Sequence, residues 1–478
     1  MPLLFPSQLL EVMPLLPDYQ NFVTESRGTI QNILTGKDPR LLLIVGPCSI
    51  HDLDSAVEYA NRLKSLSQSI SDSFFLVMRV YFEKPRTSTG WKGFSVDPHL
   101  DGSMDIRAGH FLTRQLLLHL AHLNIPVAAE FLEPTSSLYF GDLVSWGCIG
   151  ARTTESQLHR QMASGLPMPV GFKNNTSGNV EAAINGIATA SQPHTYMGIN
   201  KEGTLSIVET EGNPKCHLVL RGGNEKPNYD SISIAIALDS LKRANLPVHL
   251  LVDCSHDNSF RSHENQSIVF ESVIDQVLQG NKNIRGVSLE SHLNEGKQAF
   301  PECYSKLQYG VSLTDSCIGW ELTEQLAEWG ASALRKSGIE VLLLLLLCLS
   351  SCCTHEGLTV FSEYVLREEL ASYHVGTPDP RLNYPDVGQK IYINWKASAE
   401  YINQKLTIKL YLRFRDRTEN TETINLEEPK GRYVFSLLNE EFFARQGILS
   451  YKIEFLANDV VIDEWRHQLW VNLITFPD

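Results

Sequence analysis

The sequence predicts a closed (β/α)8 barrel followed by a small all-β domain. Three observations carry this expectation. Eight short apolar runs, each with a polar residue at or near its end, recur between Leu41 and Glu290 with helical segments between them. Continuous apolar runs bounded by turn signals fit strands buried on both faces, as in a parallel sheet. No glycine-rich dinucleotide turn accompanies them, as an open doubly wound sheet usually would. From residue 389 onward the pattern changes to period-2 alternation, the mark of half-buried antiparallel strands.

Taken in order, residues 1–40 form an N-terminal extension. Its start, MPLLFPSQLLEVMPLLPDYQ, is apolar but interrupted by Pro2, Pro6, Pro14 and Pro17 and lacks a basic region, so it does not read as a signal peptide. The barrel spans 41–338. Its strands are LLLIVG (41–46), FFLVMRV (74–80), PVAAEF (126–131), CIGAR (148–152), PVGFK (169–173), CHLVLR (216–221), VHLLVD (248–253) and IRGVSLE (284–290). Amphipathic stretches such as SAVEYANRLKSL (55–66) and GHFLTRQLLLHLAHL (109–123) supply the helices. Residues 194–209 interrupt the alternation with two short strands about a Glu-Gly turn, an inserted hairpin. The last helix, ELTEQLAEWGASAL, is expected to end at Gly338.

Residues 339–388 read as an apolar, signal-like segment and a linker. Val341–Leu349 is nine apolar residues, too short for the roughly 18 or more of a membrane span. Arg335 and Lys336 before it and Leu349-Ser350-Ser351-Cys352 after it resemble a bacterial lipoprotein signal, with Cys352 the residue to be lipidated. Residues 389–478 then form a β-sandwich-like domain. In KLTIKLYLRF, Leu406, Ile408, Leu410, Leu412 and Phe414 share one face.

Composition narrows the partners. The chain has 478 residues, a net charge of −14 and no long basic tract, which argues against a nucleic-acid backbone. Nine scattered cysteines are too few for a disulfide framework at this length. Residues 1–338 are expected in the cytoplasm, and the C-terminal part in the envelope if it is made separately.

The active site of a (β/α)8 enzyme lies where the strands end. Those ends carry Cys48, Arg79, Glu130, Arg152, Lys173, Arg221, His256 and Glu290, a set too polar for barrel filling. Arg79, Lys84, Arg86, Arg152, Lys173 and Arg221 would repel one another unless anions fill the site, and their number implies two anionic groups or more. Cys48, His256, Glu290 and Asp315 form a mixed S/N/O set suited to one divalent ion of the Mn, Fe, Co or Zn class. A surface salt-bridge network and a buried structural cysteine are the plain alternatives.

The stretches GPCSIHD (46–52), MRVYFEKPRTSTGWKG (78–93), GARTTESQ (150–157), GFKN (171–174), LRGG (220–223), DCSHDNS (253–259), ESHL (290–293) and TDSCIGWE (314–321) closely resemble those of the microbial, feedback-regulated 3-deoxy-7-phosphoheptulonate (DAHP) synthases, over residues 15 to 338. The resemblance implies condensation of phosphoenolpyruvate with erythrose 4-phosphate, the entry to aromatic amino acid biosynthesis. It puts the metal ligands on Cys48, His256, Glu290 and Asp315. Phosphoenolpyruvate contacts fall on Arg79, Lys84, Arg152, Lys173 and Arg221, and erythrose 4-phosphate contacts on Pro85, Arg86 and Thr87. Lys84, Glu130, Cys48 and His256 are the expected catalytic set. A homo-oligomer, dimer or tetramer, and an aromatic amino acid effector at the hairpin and N-terminal arm are also implied, although the arm looks short and EPTSSLYF (133–140) departs from the family pattern. The alternatives are a related synthase that takes arabinose 5-phosphate, or an envelope binding protein with a vestigial barrel. The C-terminal domain shows no catalytic cluster and reads as binding or structural.

Overall fold

The computed structural model describes residues 3–86, 90–300, 306–348, 357–365, 386–402, 404–467 and 470. The chain divides into two compact units, Met1–Val341 and Leu342–Asp478.

In the first unit, helices α1 (Pro6–Val12) and α2 (Pro17–Leu34) precede the barrel. Its eight parallel strands are β1 (Leu41–Gly46), β2 (Phe74–Arg79), β3 (Val127–Glu130), β4 (Trp146–Ile149), β5 (Val170–Lys173), β8 (Cys216–Leu220), β9 (Leu250–Asp253) and β10 (Ile284–Glu290). They close in the order β1-β10-β9-β8-β5-β4-β3-β2, with β1 pairing to β2 on one side and β10 on the other. Seven of the eight predicted runs end within about one residue of the observed strands. The fourth is displaced: β4 stops at Ile149, so Arg152 lies in the turn beyond it and is exposed rather than ending a strand.

Alternation along the strands builds two cores. Leu42, Ile44, Ala128, Trp146, Val219 and Leu251 point into the barrel, where Ile30, Ile33 and Leu34 of α2 join them. Leu41, Leu43 and Val45 point outward to the helices, meeting for example Ala56, Tyr59, Ala60, Leu63 and Leu66 of α3 (Leu53–Ser69). That three-and-four spacing is the apolar stripe of an amphipathic helix. The Asp52 side chain caps α3 by accepting from Ser55 N at 2.8 Å. The interior is thus packed with side chains, and the cleft of polar residues opens at the strand ends.

The inserted hairpin is present as β6 (His194–Ile199) and β7 (Leu205–Thr210), with Gly203 at φ +74 in its turn. The short arm reaches it. Ser7 N donates to Lys201 O at 2.8 Å, and a Cβ on Gly203 would fall 2.1 Å from the Phe5 ring, so that ring lies on the turn. Tyr139 of α5 (Ser136–Phe140) donates to Leu4 O at 2.8 Å, tying the same arm to the EPTSSLYF stretch.

The barrel's last helix does not stop at Gly338. It runs from Trp320 to Cys348, through all but the last residue of the apolar run Val341–Leu349. A glycine inside a helix costs only about 1 kcal/mol relative to alanine, and the leucines that follow are strong helix formers. Arg335 serves the barrel, donating to Asp72 Oδ2 at 2.7 Å and to Ser69 O. No described helix is long and apolar enough to cross a membrane. Cys352 lies outside the described residues.

The second unit holds two antiparallel sheets. One has β12 (Gly388–Lys396) between β11 (Gly357–Val365) and β15 (Lys430–Leu438). The other runs β14-β13-β16-β17, built from β13 (Leu406–Phe414), β14 (Glu419–Leu426), β16 (Ile448–Ala457) and β17 (Val460–Arg466). The alternating face of β13 is buried as expected, from Leu406 through Phe414. Strand β11 comes from the stretch expected to be linker.

Candidate active site

The strand ends converge on one cleft of about 230 Å3 at the mouth of the barrel. Six cationic side chains line it among the described residues: Lys84, Arg86, Arg152, Lys173, Arg221 and Arg261. Glu130, Glu290 and Asp315 are its three carboxylates, so the wall is net positive and suited to anionic ligands. Pro85 also lines it, whereas Thr87 lies outside the described residues.

The deepest cations are held by buried acids. Arg79, at the end of β2, donates to Glu290 Oε1 at 3.0 Å and to Ser288 Oγ at 3.2 Å, with its guanidinium 4.1 Å above the Tyr81 ring. Lys173, at the end of β5, meets Asp253 Oδ2 at 2.8 Å, both groups being buried. Burial alone would raise Asp253, but His256, Lys173 and Arg79 hold its carboxyl well below the usual range. Arg221, just past β8, meets Asp257 Oδ2 at 2.5 Å. These paired cations can remain charged inside the protein because each has its acid.

A second cluster sits beside them. Cys48, Glu290 and Asp315 each offer a ligand atom, and these atoms lie within 4.8 Å of one another. His256 stands at the edge of the group, its Nε2 3.7 Å from Glu290 Oε1 and its Nδ1 3.0 Å from Asp253 Oδ2. The Lys84 ammonium donates to Cys48 Sγ at 2.8 Å and to Asp315 Oδ2 at 3.2 Å. Burial would lower Lys84, yet Cys48, Asp315 and Glu290 outweigh it and raise its pKa above the usual value. Lys84 in turn holds the Asp315 carboxyl well below the usual carboxylate range. Burial, with Glu290 behind it, pushes the Cys48 thiol well up. Two carboxylates and a sulfur donor, with an imidazole at their edge, fit a borderline divalent ion.

The remaining predicted residues are placed as follows. Glu130, at the end of β3, is buried at the cleft wall, and Gly150 lies so close that a Cβ there would meet Glu130 Oε1 at 2.0 Å. Arg86 and Arg152 are exposed on the rim. The loop carrying Lys84 is anchored by Glu83, whose carboxylate accepts from Leu132 N at 3.0 Å, Glu133 N at 3.2 Å and Ser136 Oγ. Burial pushes the Glu83 carboxyl up to about 7. Sequence reasoning missed Tyr81, Asp253, Asp257 and Arg261. Three of them stand in or beside DCSHDNS, a stretch in which the histidine alone drew attention.

Known proteins resemble this chain in sequence and fold. The DAHP synthetase I family matches residues 21–328. The Tyr-sensitive phospho-2-dehydro-3-deoxyheptonate aldolase of Salmonella typhimurium is 50% identical over 324 residues, covering 68% of this chain and 91% of the relative. The Trp-sensitive enzyme of Escherichia coli is 48% identical over 331 residues, covering 69% and 94%. The solved structure of the Francisella tularensis phospho-2-dehydro-3-deoxyheptonate aldolase superposes with a TM-score of 0.68 at 40% identity, over 70% of this chain and 97% of that one. With a charged cleft at the mouth of a matching barrel and half of the aligned residues shared, the chain belongs to the DAHP synthetase I family.

Proposed function

We infer that the barrel is a 3-deoxy-7-phosphoheptulonate synthase, condensing phosphoenolpyruvate with erythrose 4-phosphate and water to give DAHP and phosphate. The family match supports the reaction, and the observation that ties it to this chain is the cation-lined cleft beside a Cys/Glu/Asp donor set. Members of the family generally depend on a divalent metal. Cys48, Glu290, Asp315 and His256 would hold it, and when bound it supplies Lewis-acid polarisation of the aldehyde.

The chain's own residues account for the rest. Arg152, Lys173 and Arg221 line the cleft and take the phosphate and carboxylate of phosphoenolpyruvate. Arg79, buried against Glu290 and not part of the cleft lining, is the further contact that the family resemblance implies. Pro85 and Arg86, with Thr87, receive the phosphate of the aldose. Their acids fix the buried cations in advance, so little reorganisation is needed as charge builds on the leaving phosphate. As C3 of phosphoenolpyruvate bonds to the aldehyde carbon, the carbonyl oxygen becomes an alkoxide. Lys84 stands on the Cys48–Asp315 side of the cleft with a proton to give it. Glu130 orients water toward C2 and accepts its proton, and loss of phosphate leaves the ketone.

Relatives are named for sensitivity to Tyr, Trp or Phe. An aromatic amino acid effector is the corresponding proposal here, and the contact between arm and hairpin supports it. Erythrose 4-phosphate should be preferred over arabinose 5-phosphate by about 10²-fold or more in kcat/KM. Equal turnover of the two aldoses would replace this reading with that of the related octulosonate-type synthase.

For residues 335–352 the lipoprotein signal stays a proposal carried by the sequence: Val341–Leu349 with Leu349-Ser350-Ser351-Cys352. It entails a separately made, lipidated C-terminal product. An immunoblot with antibodies to each unit that shows one full-length band and no shorter lipidated species would exclude it.

A further inference from the structure

Asp257 has no part in the chemistry above, yet it is buried behind the cleft wall at 1% exposure. Its two oxygens go to two different guanidiniums. Oδ2 accepts from Arg221 Nη1 at 2.5 Å, and Oδ1 accepts from Arg261 Nε at 2.9 Å. Arg221 is buried and Arg261 is 65% exposed, and both line the cleft. The segment that turns Asp257 inward is strained: His256, Phe260 and Arg261 have φ of 60°, 52° and 60°, a region that non-glycine residues seldom adopt. It is held there by Arg261 N donating to His256 O at 2.7 Å, and by Asn258, which bonds Asp253 O at 2.8 Å and Asn228 N at 2.7 Å.

A carboxylate present only to neutralise Arg221 would need one partner. Here it also draws a second guanidinium onto the cleft wall, and the trio keeps one net positive charge. Arg221 Nε is buried without a protein partner for its hydrogen bond. Asp257 takes the Nη1 end and leaves that donor for a ligand.

We propose that Asp257 is a positioning residue that clamps Arg221 and Arg261 into one anion grip, and that Arg261 is a further binding residue for the phosphate of phosphoenolpyruvate. This rests on the reading of the cleft as the phosphoenolpyruvate site. The test uses full-length Asp257→Asn, Asp257→Glu, Arg261→Ala and the double variant Asp257→Asn/Arg261→Ala. Phosphoenolpyruvate Kd comes from titration calorimetry, and kcat and KM are measured for both substrates.

Asp257→Asn and Arg261→Ala should each raise the Kd and KM for phosphoenolpyruvate by about tenfold, the effect of losing one charge-assisted hydrogen bond. The KM for erythrose 4-phosphate should hold, and kcat should stay within about threefold. The double variant should bind no worse than Asp257→Asn alone, and Asp257→Glu should recover part of the loss. A Kd within about twofold of wild type for Arg261→Ala overturns the proposal; because its side chain is 65% exposed, a raised Kd would not stem from loss of folding. A rise in the erythrose 4-phosphate KM instead overturns it as well. Wild-type protein that binds phosphoenolpyruvate without turnover refutes the assigned reaction, while the Kd comparison still decides the grip.

Discussion

Replacing Lys84 by methionine is expected to lower kcat by about 10²–10⁴-fold, the range for loss of a positioned proton donor. The ammonium lies 2.8 Å from Cys48 Sγ and 3.2 Å from Asp315 Oδ2, so the substitution removes both the proton and the positive charge beside the Asp315 carboxylate. Lys84→Arg should not restore the rate. A planar, forked guanidinium cannot occupy the same point as the compact ammonium. Phosphate release under saturating concentrations of both substrates reads the effect. A Lys84→Met variant within about fivefold of wild type would remove Lys84 from the proton-transfer role.

The second large effect is on stability. Asp253 is fully buried against Lys173 at 2.8 Å and His256 at 3.0 Å. Asp253→Ala leaves a buried ammonium uncompensated, and breaking one side of such a pair costs about 3–5 kcal/mol. Urea unfolding followed by tryptophan fluorescence measures it. The double variant Asp253→Ala/Lys173→Met should recover much of that stability while remaining inactive. The pH dependence has a definite sign. The folded-state pKa of Asp253 lies below its unfolded value, so its contribution is fully present above the ordinary carboxylate range. That contribution is lost as pH falls through the depressed folded value. The wild type should therefore lose stability on acidification relative to the double variant. Parallel acid profiles for the two would show that the pair does not carry this linkage.

The barrel was legible because a strand buried on both faces is written largely in apolar residues, as in LLLIVG or in the FFLVM that stops at Arg79. The cations and the sulfur, nitrogen and oxygen donors at or near those ends could be named for the same reason. Their counter-ions could not. A stretch such as DCSHDNS presents two aspartates, and nothing in its order says that one pairs with a lysine from β5 and the other with an arginine after β8. Those pairings exist only once the barrel closes. Arg152 shows the converse: CIGAR reads as one run, but the ladder to β5 ends at Ile149 and the arginine falls in the turn. In the second unit, β11 and β14 went unread, and both are edge strands. ENTETINL is polar because an edge strand buries less of itself, which blunts the alternation that reveals inner strands such as β13.

The reaction itself is tested most directly by following its carbon. Full-length protein, a divalent ion, erythrose 4-phosphate and phosphoenolpyruvate isotopically labelled at C3 are observed together by NMR. The label should move from the vinyl position into the methylene of a seven-carbon 3-deoxy sugar acid, with one phosphate released per molecule, and chelation of the ion should stop it. Phosphoenolpyruvate that persists, phosphate release without a new carbon–carbon bond, or an undiminished rate after chelation would contradict the account.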